Sequence, residues 1–535
     1  MPEITVNRRS LLLAGLGAAG AGLLAACADG PKPPPLVEPS ATAVAQTEAK
    51  RTATGRERPV TVTATADTVD LGGGTTARTW TYGALPGTAI RTTAGDTLVA
   101  TLNNNLPVPT SLHWHGLALR NDMDGVPPVT MRPVGAGGSF TYRFVTDRPG
   151  TYWFHPHVGL QLDRGLYAPL IVEDPREPLA YDEEWVVVLD DWLDGVTGTP
   201  DQALAELRKG MGGGASRGGH DMSGMSGHGM GGMDGMDGTG GAGGTGGGPA
   251  PSAPAPSFML MGATSDLLGG DAGDVAYPHH LVNGRTAGDP EVYRSAPGRR
   301  VRLRIVNAGG DTAYRLALGG HRLTVTHTDG FPVRHEEVDA LLVGMGERYD
   351  VLVTLGDGVF PLTALAEGKN AAGRALVRTA AGGEAPAAAY RPAELDGRIL
   401  AAADLRAADE VRLPAREPDR THRIELTGGM ARYDWALDGR PFDMANPTAR
   451  PFLVAAGERV RLEFVNRTAM WHPMHLHGHT FSLGEGGPRK DTAIVLPGRT
   501  VTCDFDADNP GRWMTHCHNA YHGEAGMMGL VAYRA

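Results

Sequence analysis

Gly457-Glu458-Arg459-Val460-Arg461-Leu462-Glu463-Phe464-Val465-Asn466 has two counterparts upstream, Gly95 to Asn104 (GDTLVATLNN) and Gly298 to Asn307 (GRRVRLRIVN). Each is a glycine, eight residues of strand-like alternation and an asparagine, which is the signature of a repeated structural unit. Nine and eleven residues after Asn104 stand His113 and His115, and the same offsets from Asn466 reach His475 and His477. From Asn307 they reach Leu316 and Leu318. Pro149-Gly150 precedes His155 and His157 as Pro510-Gly511 precedes His516 and His518. The chain is therefore expected to be all-β, three consecutive copies of one Greek-key sandwich, the middle copy having lost the histidines. The domains are expected at 58–174, 175–395 and 396–535, with residues 380–420 reading as an interdomain connection.

Of 19 histidines, ten fall in four clusters: His113/His115, His155/His157, His472/His475/His477 and His516/His518/His522. Residues i and i+2 of a strand face the same side, so each His-x-His pair presents two imidazoles to one place. Cys517, between His516 and His518, must point to the opposite face. His472, of opposite parity to His475, can join Cys517 and His522, with Met527 as a weak axial ligand, in the set that holds blue copper. The other face receives eight histidines and no thiolate, which suits several copper ions with open positions for oxygen. His279, His280, His321, His327, His335 and His422 read as structural residues and His479 as a neighbour of the ligands.

These four motifs, in order over nearly the whole chain, resemble those of the multicopper oxidases, and most of all exported actinobacterial copper-resistance oxidases and bacterial laccases. The resemblance implies cupredoxin-like domains and four copper ions. It implies type 1 copper on His472, Cys517, His522 and Met527, and type 2 copper on His113 and His475. It further implies a type 3 pair, one ion on His115, His155 and His518, the other on His157, His477 and His516. Electrons from a small reductant would then pass through Cys517 to reduce O2 to water. Asp124 matches the family's acidic position, while its Asp-Gly context reads equally as a turn. Where some bacterial relatives carry Glu after His522 this chain has Gly523, and Glu524 is the compensating acid expected. Together with Cys517, these two acids are the catalytic candidates.

A Met/Gly-rich insertion at 209–256 holds Met211, Met222, Met225, Met230, Met233 and Met236 with His220 and His228. It cannot build a core, but exposed thioethers select Cu(I). Met470 matches a Met that passes Cu(I) to the type 1 site in copper-resistance oxidases; the acid expected beside it is Thr468 here. An axial Met implies a modest potential and easily oxidised reductants: Cu(I), Fe(II) and electron-rich phenols. Copper tolerance by Cu(I) oxidation is the first expectation, laccase activity on phenols or aromatic amines the second, and a copper-sequestering binding protein the alternative of another class.

At 535 residues the chain has room for three domains, and 76 Gly with 39 Pro favour short strands and turns. A net charge of −11 argues against a nucleic-acid partner. Residues 1–26, with Arg8-Arg9 and an apolar run from Leu11 to Ala26, resemble a twin-arginine export signal. Leu24-Ala25-Ala26-Cys27 resembles a lipobox, so Cys27 is expected to be the acylated start of a surface-anchored protein with a Pro-rich tether at 27–57. Only Cys503, in a strand pattern, and Cys517 then remain, so no disulfide framework is expected. A monomer is expected.

Overall fold

Each repeated segment becomes an interior strand in the computed structural model, which describes residues 35–210, 257–380 and 382–535. The strands are Thr97–Asn104, Arg300–Asn307 and Arg459–Asn466. Each pairs parallel with the first strand of its unit, namely Glu57–Gly72, Glu183–Trp192 and Arg420–Thr427. Each also pairs antiparallel with a later strand, Ser139–Val145, Arg348–Thr354 or Thr500–Asp506. Topology is thus repeated three times. The glycines that open the segments have φ of +90°, +79° and +85°, a left-handed turn that a side chain would strain.

The closing asparagines explain why the repeat ends as it does. Asn104 Nδ2 donates to the carbonyls of Val108 and Val134, Asn307 Nδ2 to those of Thr312 and Val343, and Asn466 Nδ2 to those of Met470 and Val495. Each Oδ1 accepts the amide two residues on. The buried amide side chain satisfies the backbone where the chain leaves one sheet for the other.

The second sheet of each outer domain carries the histidines. In domain 1 its order is Ile90–Thr93, Ala168–Glu173, Gly150–His155, His113–His115. In domain 3 it is Phe452–Val454, Met528–Tyr533, Arg512–Cys517, His472–Leu476, Thr492–Val495. In the middle domain Tyr314–Leu318 takes the equivalent place, with Leu316 and Leu318 buried in its core. Each domain has its own apolar core.

Two expectations need correction. The tether ends before residue 57: Leu36 bridges Arg534, Val37 N donates to Tyr533 O, and the helix Thr42–Glu48 buries Val44 in the core of domain 3. The apolar residues Val37 and Val44 have a core to enter, which a free tether does not offer. The middle domain also runs past 395, because Ile399–Leu400 pairs with Ala340–Val343, and Leu400 and Leu405 enter its core. The export motif, the lipobox and Met211 to Met236 with His220 and His228 lie outside the described residues.

Candidate metal centre

Strand pairing brings the histidines together. His113 lies opposite His155 across one ladder, and His475 opposite His516 across another. The two domains then close face to face, Asn121 exchanging two hydrogen bonds with the backbone of Arg512. His113 stacks on His477 with ring centroids 3.8 Å apart, and His115 on His475 at 3.9 Å. His155 meets His518 at 5.3 Å and His157 meets His516 at 5.0 Å. All eight imidazoles converge at one interface.

Their nitrogens are arranged for metal. His113 Nε2, His115 Nδ1, His155 Nε2, His475 Nε2 and both nitrogens of His518 are buried without a hydrogen-bond partner, a costly state unless an ion takes the lone pairs. His477 Nε2 and His157 Nε2 stand 3.1 and 3.4 Å from His516 Nε2. Burial, reinforced by neighbouring imidazoles, holds His155, His157, His477 and His518 well below the usual pKa, and His516 at about 3. Neutral rings are what metal binding requires. Three-residue groups able to grip one ion include His157/His477/His516, His113/His475/His477 and His113/His115/His155.

Cys517 points the other way, as its parity demands. Its Sγ is 3.6 Å from Nδ1 of both His472 and His522, whose Nδ1 atoms are 3.1 Å apart. Met527 is buried in the same core, its backbone bonded to Cys517 and His522. His522 Nε2 stands 2.9 Å from Asp274 of the middle domain, which also accepts from the Tyr433 hydroxyl. Burial disfavours a charged ring there, but Asp274 and the thiol outweigh it and push His522 up to about 10. A metal at Nδ1 must displace that proton, while the carboxylate orients the ring through Nε2. The Thr468 hydroxyl lies 2.8 Å from His472 Nε2. Cys503 is a free, buried thiol on a ladder strand.

Asp124 is fully buried at the cluster. Its Oδ2 is 3.0 Å from His477 Nδ1, and its main-chain oxygen accepts from His113 Nδ1 at 2.9 Å. The turn is also needed: a Cβ on Gly125, at φ +78°, would fall 1.7 Å from Leu112 O. Glu524 has a different position, on the helix Ala520–Ala525, where it lines a pocket leading to the cluster and burial raises its pKa. Among the described hydrogen bonds none joins its carboxylate to an imidazole.

Sequence reasoning missed Asp491. Its Oδ1 is 3.0 Å from His115 Nε2 and 3.4 Å from His475 Nδ1, and its carboxylate is held bidentately by Arg348 at 2.7 Å. Burial alone would raise its pKa, but Arg348 and His115 hold it well below the carboxylate range. Only an acidic residue leading into the apolar strand Thr492–Val495 signals it in the sequence.

The Met-rich insertion is rooted beside the thiolate site. The helix Pro200–Leu207 opens on a Thr199/Gln202 capping box and leads to Gly210, packed so tightly on Ala431 that a Cβ would lie 2.2 Å from its carbonyl oxygen. The returning chain is held where Glu206 accepts from Ser257 and from the Phe258 amide. Phe258 and Met259 pack on the core of domain 3. Met470 is buried there, and its backbone forms an isolated β-bridge with that of Asp271 of the middle domain.

Three cupredoxin-like sandwiches, with a thiolate site in one and a histidine cluster between the outer two, define an oxidase that carries type 1, type 2 and type 3 copper. Residues 63–177, 261–381 and 415–535 match family models described as multicopper oxidase. The chain is 46% identical to multicopper oxidase MmcO of Mycobacterium tuberculosis, over 98% of this chain and 96% of that one. It is 28% identical to a copper resistance protein A homolog of Pseudomonas syringae, covering 83% and 87%. A laccase from Botrytis aclada shares the fold with a TM-score of 0.69 at 23% identity, covering 91% and 89%. The chain belongs to the multicopper oxidase family and is an oxidoreductase with oxygen as acceptor.

Proposed function

We propose that this oxidase converts Cu(I) to Cu(II) at the surface of the cell that exports it, as a copper-tolerance enzyme. The observation that carries this reading is where the thioether-bearing insertion leaves and rejoins the fold: Arg208 donates to the Glu524 carbonyl, two residues from His522, and Leu260 N donates to the carbonyl of Asp274, whose carboxylate touches His522. Met470, whose backbone forms a β-bridge with that of Asp271, brings a thioether two residues before His472 and sets an acidic residue on the neighbouring strand where position 468 has Thr. A soft donor beside a carboxylate suits Cu(I). The relative named for copper resistance agrees with it.

In this reading His472, Cys517, His522 and Met527 hold type 1 copper, and His113 and His475 hold type 2. His115, His155 and His518 hold one type 3 ion; His157, His477 and His516 hold the other. Bound copper supplies one-electron oxidation of the reductant at type 1 and four-electron reduction of O2 to water at the cluster. Cys517 shares peptide bonds with His516 and His518, so a covalent path joins the thiolate to the cluster. Asp274 keeps the His522 ring oriented at Nε2. Asp124, with Oδ1 buried and unpaired 3.2 Å from His113 Nδ1, is the group placed to hold and hand on a proton. Cys27 serves as a lipid anchor after twin-arginine export; mass spectrometry of the mature amino terminus tests that part, and an unmodified start downstream of Cys27 rejects it.

Oxygen uptake by the copper-loaded protein decides the substrate. Stabilised Cu(I) should outpace a methoxyphenol, and deletion of residues 211–237 should slow Cu(I) turnover alone. Faster phenol turnover, unaffected by the deletion, would make the protein a laccase.

A further inference from the structure

Between the outer domains opens a pocket of about 610 Å³ whose floor holds His155, His157, His516 and His518. A water needs only about 10–15 Å³ of such space, so the pocket has far more room than one O2 or water fills. His157 is the only one of the ten clustered histidines that is not buried, and it faces this pocket. The ligand set of the cluster therefore has one partly exposed imidazole, and it is here, with its Nε2 3.4 Å from that of His516.

Two methionines line the same walls. Met444 is 43% exposed, one of three large apolar side chains so exposed among the described residues, and Met528 is half-buried. The charged lining residues are Asp201, Glu524 and Arg164, and Arg164 is already engaged by Asp194 and the Trp80 ring. Asp201 also lies 3.8 Å from Arg164, so Glu524 is the carboxylate without a described salt bridge; a pocket with soft thioethers, that carboxylate and imidazoles in its lining attracts a soft cation.

We propose that this pocket is the loading route of the cluster, through which Cu(I) passes from Met444 and Met528 to His157 and on to the buried imidazoles. Each transfer breaks a thioether–copper bond as an imidazole–copper bond forms, and no electron changes hands. The thiolate site lies on the opposite face of its strand and is filled independently. This route serves the cluster whichever reductant the enzyme uses, so its test is separate from that of the substrate.

The copper-free full-length protein is titrated anaerobically with a labile Cu(I) complex, and copper per chain is followed over time. After oxidation the blue thiolate band reports type 1 filling separately. Met444→Leu/Met528→Leu, which conserves volume, should fill the cluster about tenfold more slowly, with type 1 filling, final copper content and melting temperature unchanged. Val108→Trp, which adds bulk to the pocket lining, should do the same while leaving the thioethers in place. Cluster filling at the original rate in the double variant, or equal slowing of both sites, would overturn the proposal.

Discussion

Cys517 has two tasks at one position, ligand on one face and covalent link between ligands on the other. Cys517→Ser should abolish the blue band and turnover while the melting temperature and circular dichroism of the copper-free protein stay close to those of the parent; a variant that stays blue would refute the assignment. Asp491 acts from behind the ligands. Asp491→Asn takes the bidentate carboxylate from buried Arg348 and leaves it Asp329 at 3.4 Å, so the cost should fall below the about 3–5 kcal/mol of a fully unpaired buried charge. Copper at the cluster should fall with thermal stability, whereas the blue thiolate band, on the far face, should persist in the folded fraction. The ten histidines and Cys517 were legible because i, i+2 parity is a property of any strand. Asp491 was not, since its meaning comes from His115, 376 residues away in sequence, and from Arg348 on a third domain.

At the scale of elements, the segment from Pro35 to Lys50 acts as a strap from the last strand to the first domain. Leu36 and Val37 pair with the C-terminal strand, and Glu48 accepts the amide of Val145. Burial of Val37 and Val44 contributes roughly 1.5–3 kcal/mol for each side chain. A chain lacking residues 35–50 should therefore melt several degrees lower, most visibly in the transition of domain 3, by differential scanning calorimetry. An unchanged melting profile would show the strap to be a passive linker. Composition hid this element: Pro and Ala around it read as a tether, and only the core of domain 3 gives Val44 a place to go. The repeated strands, by contrast, were readable because alternation and the terminal Asn recur three times.

Across the whole molecule, the outer domains meet over the histidine cluster while the middle domain grips both. Asp350 ties Arg302 and Arg304 to Thr151 of domain 1, and Arg348 ties to Asp491 of domain 3. Copper held by both outer domains favours the native state by mass action. Stripping copper with a chelator should lower the melting of domains 1 and 3 together and leave that of the middle domain nearly in place; equal loss in all three would argue against a cluster shared between the outer pair. The sequence by itself determined the three sandwiches, the two-faced set of histidines around Cys517 and the chemistry of copper, since strand periodicity and ligand type are local properties. Only the tertiary structure decided that Asp491 and Asp274 touch those ligands, where the insertion leaves and rejoins the fold, and that His157, alone among the clustered histidines, stays partly exposed at an open pocket. Those relations are set by how separately folded sheets close on one another, and no spacing along the chain encodes them.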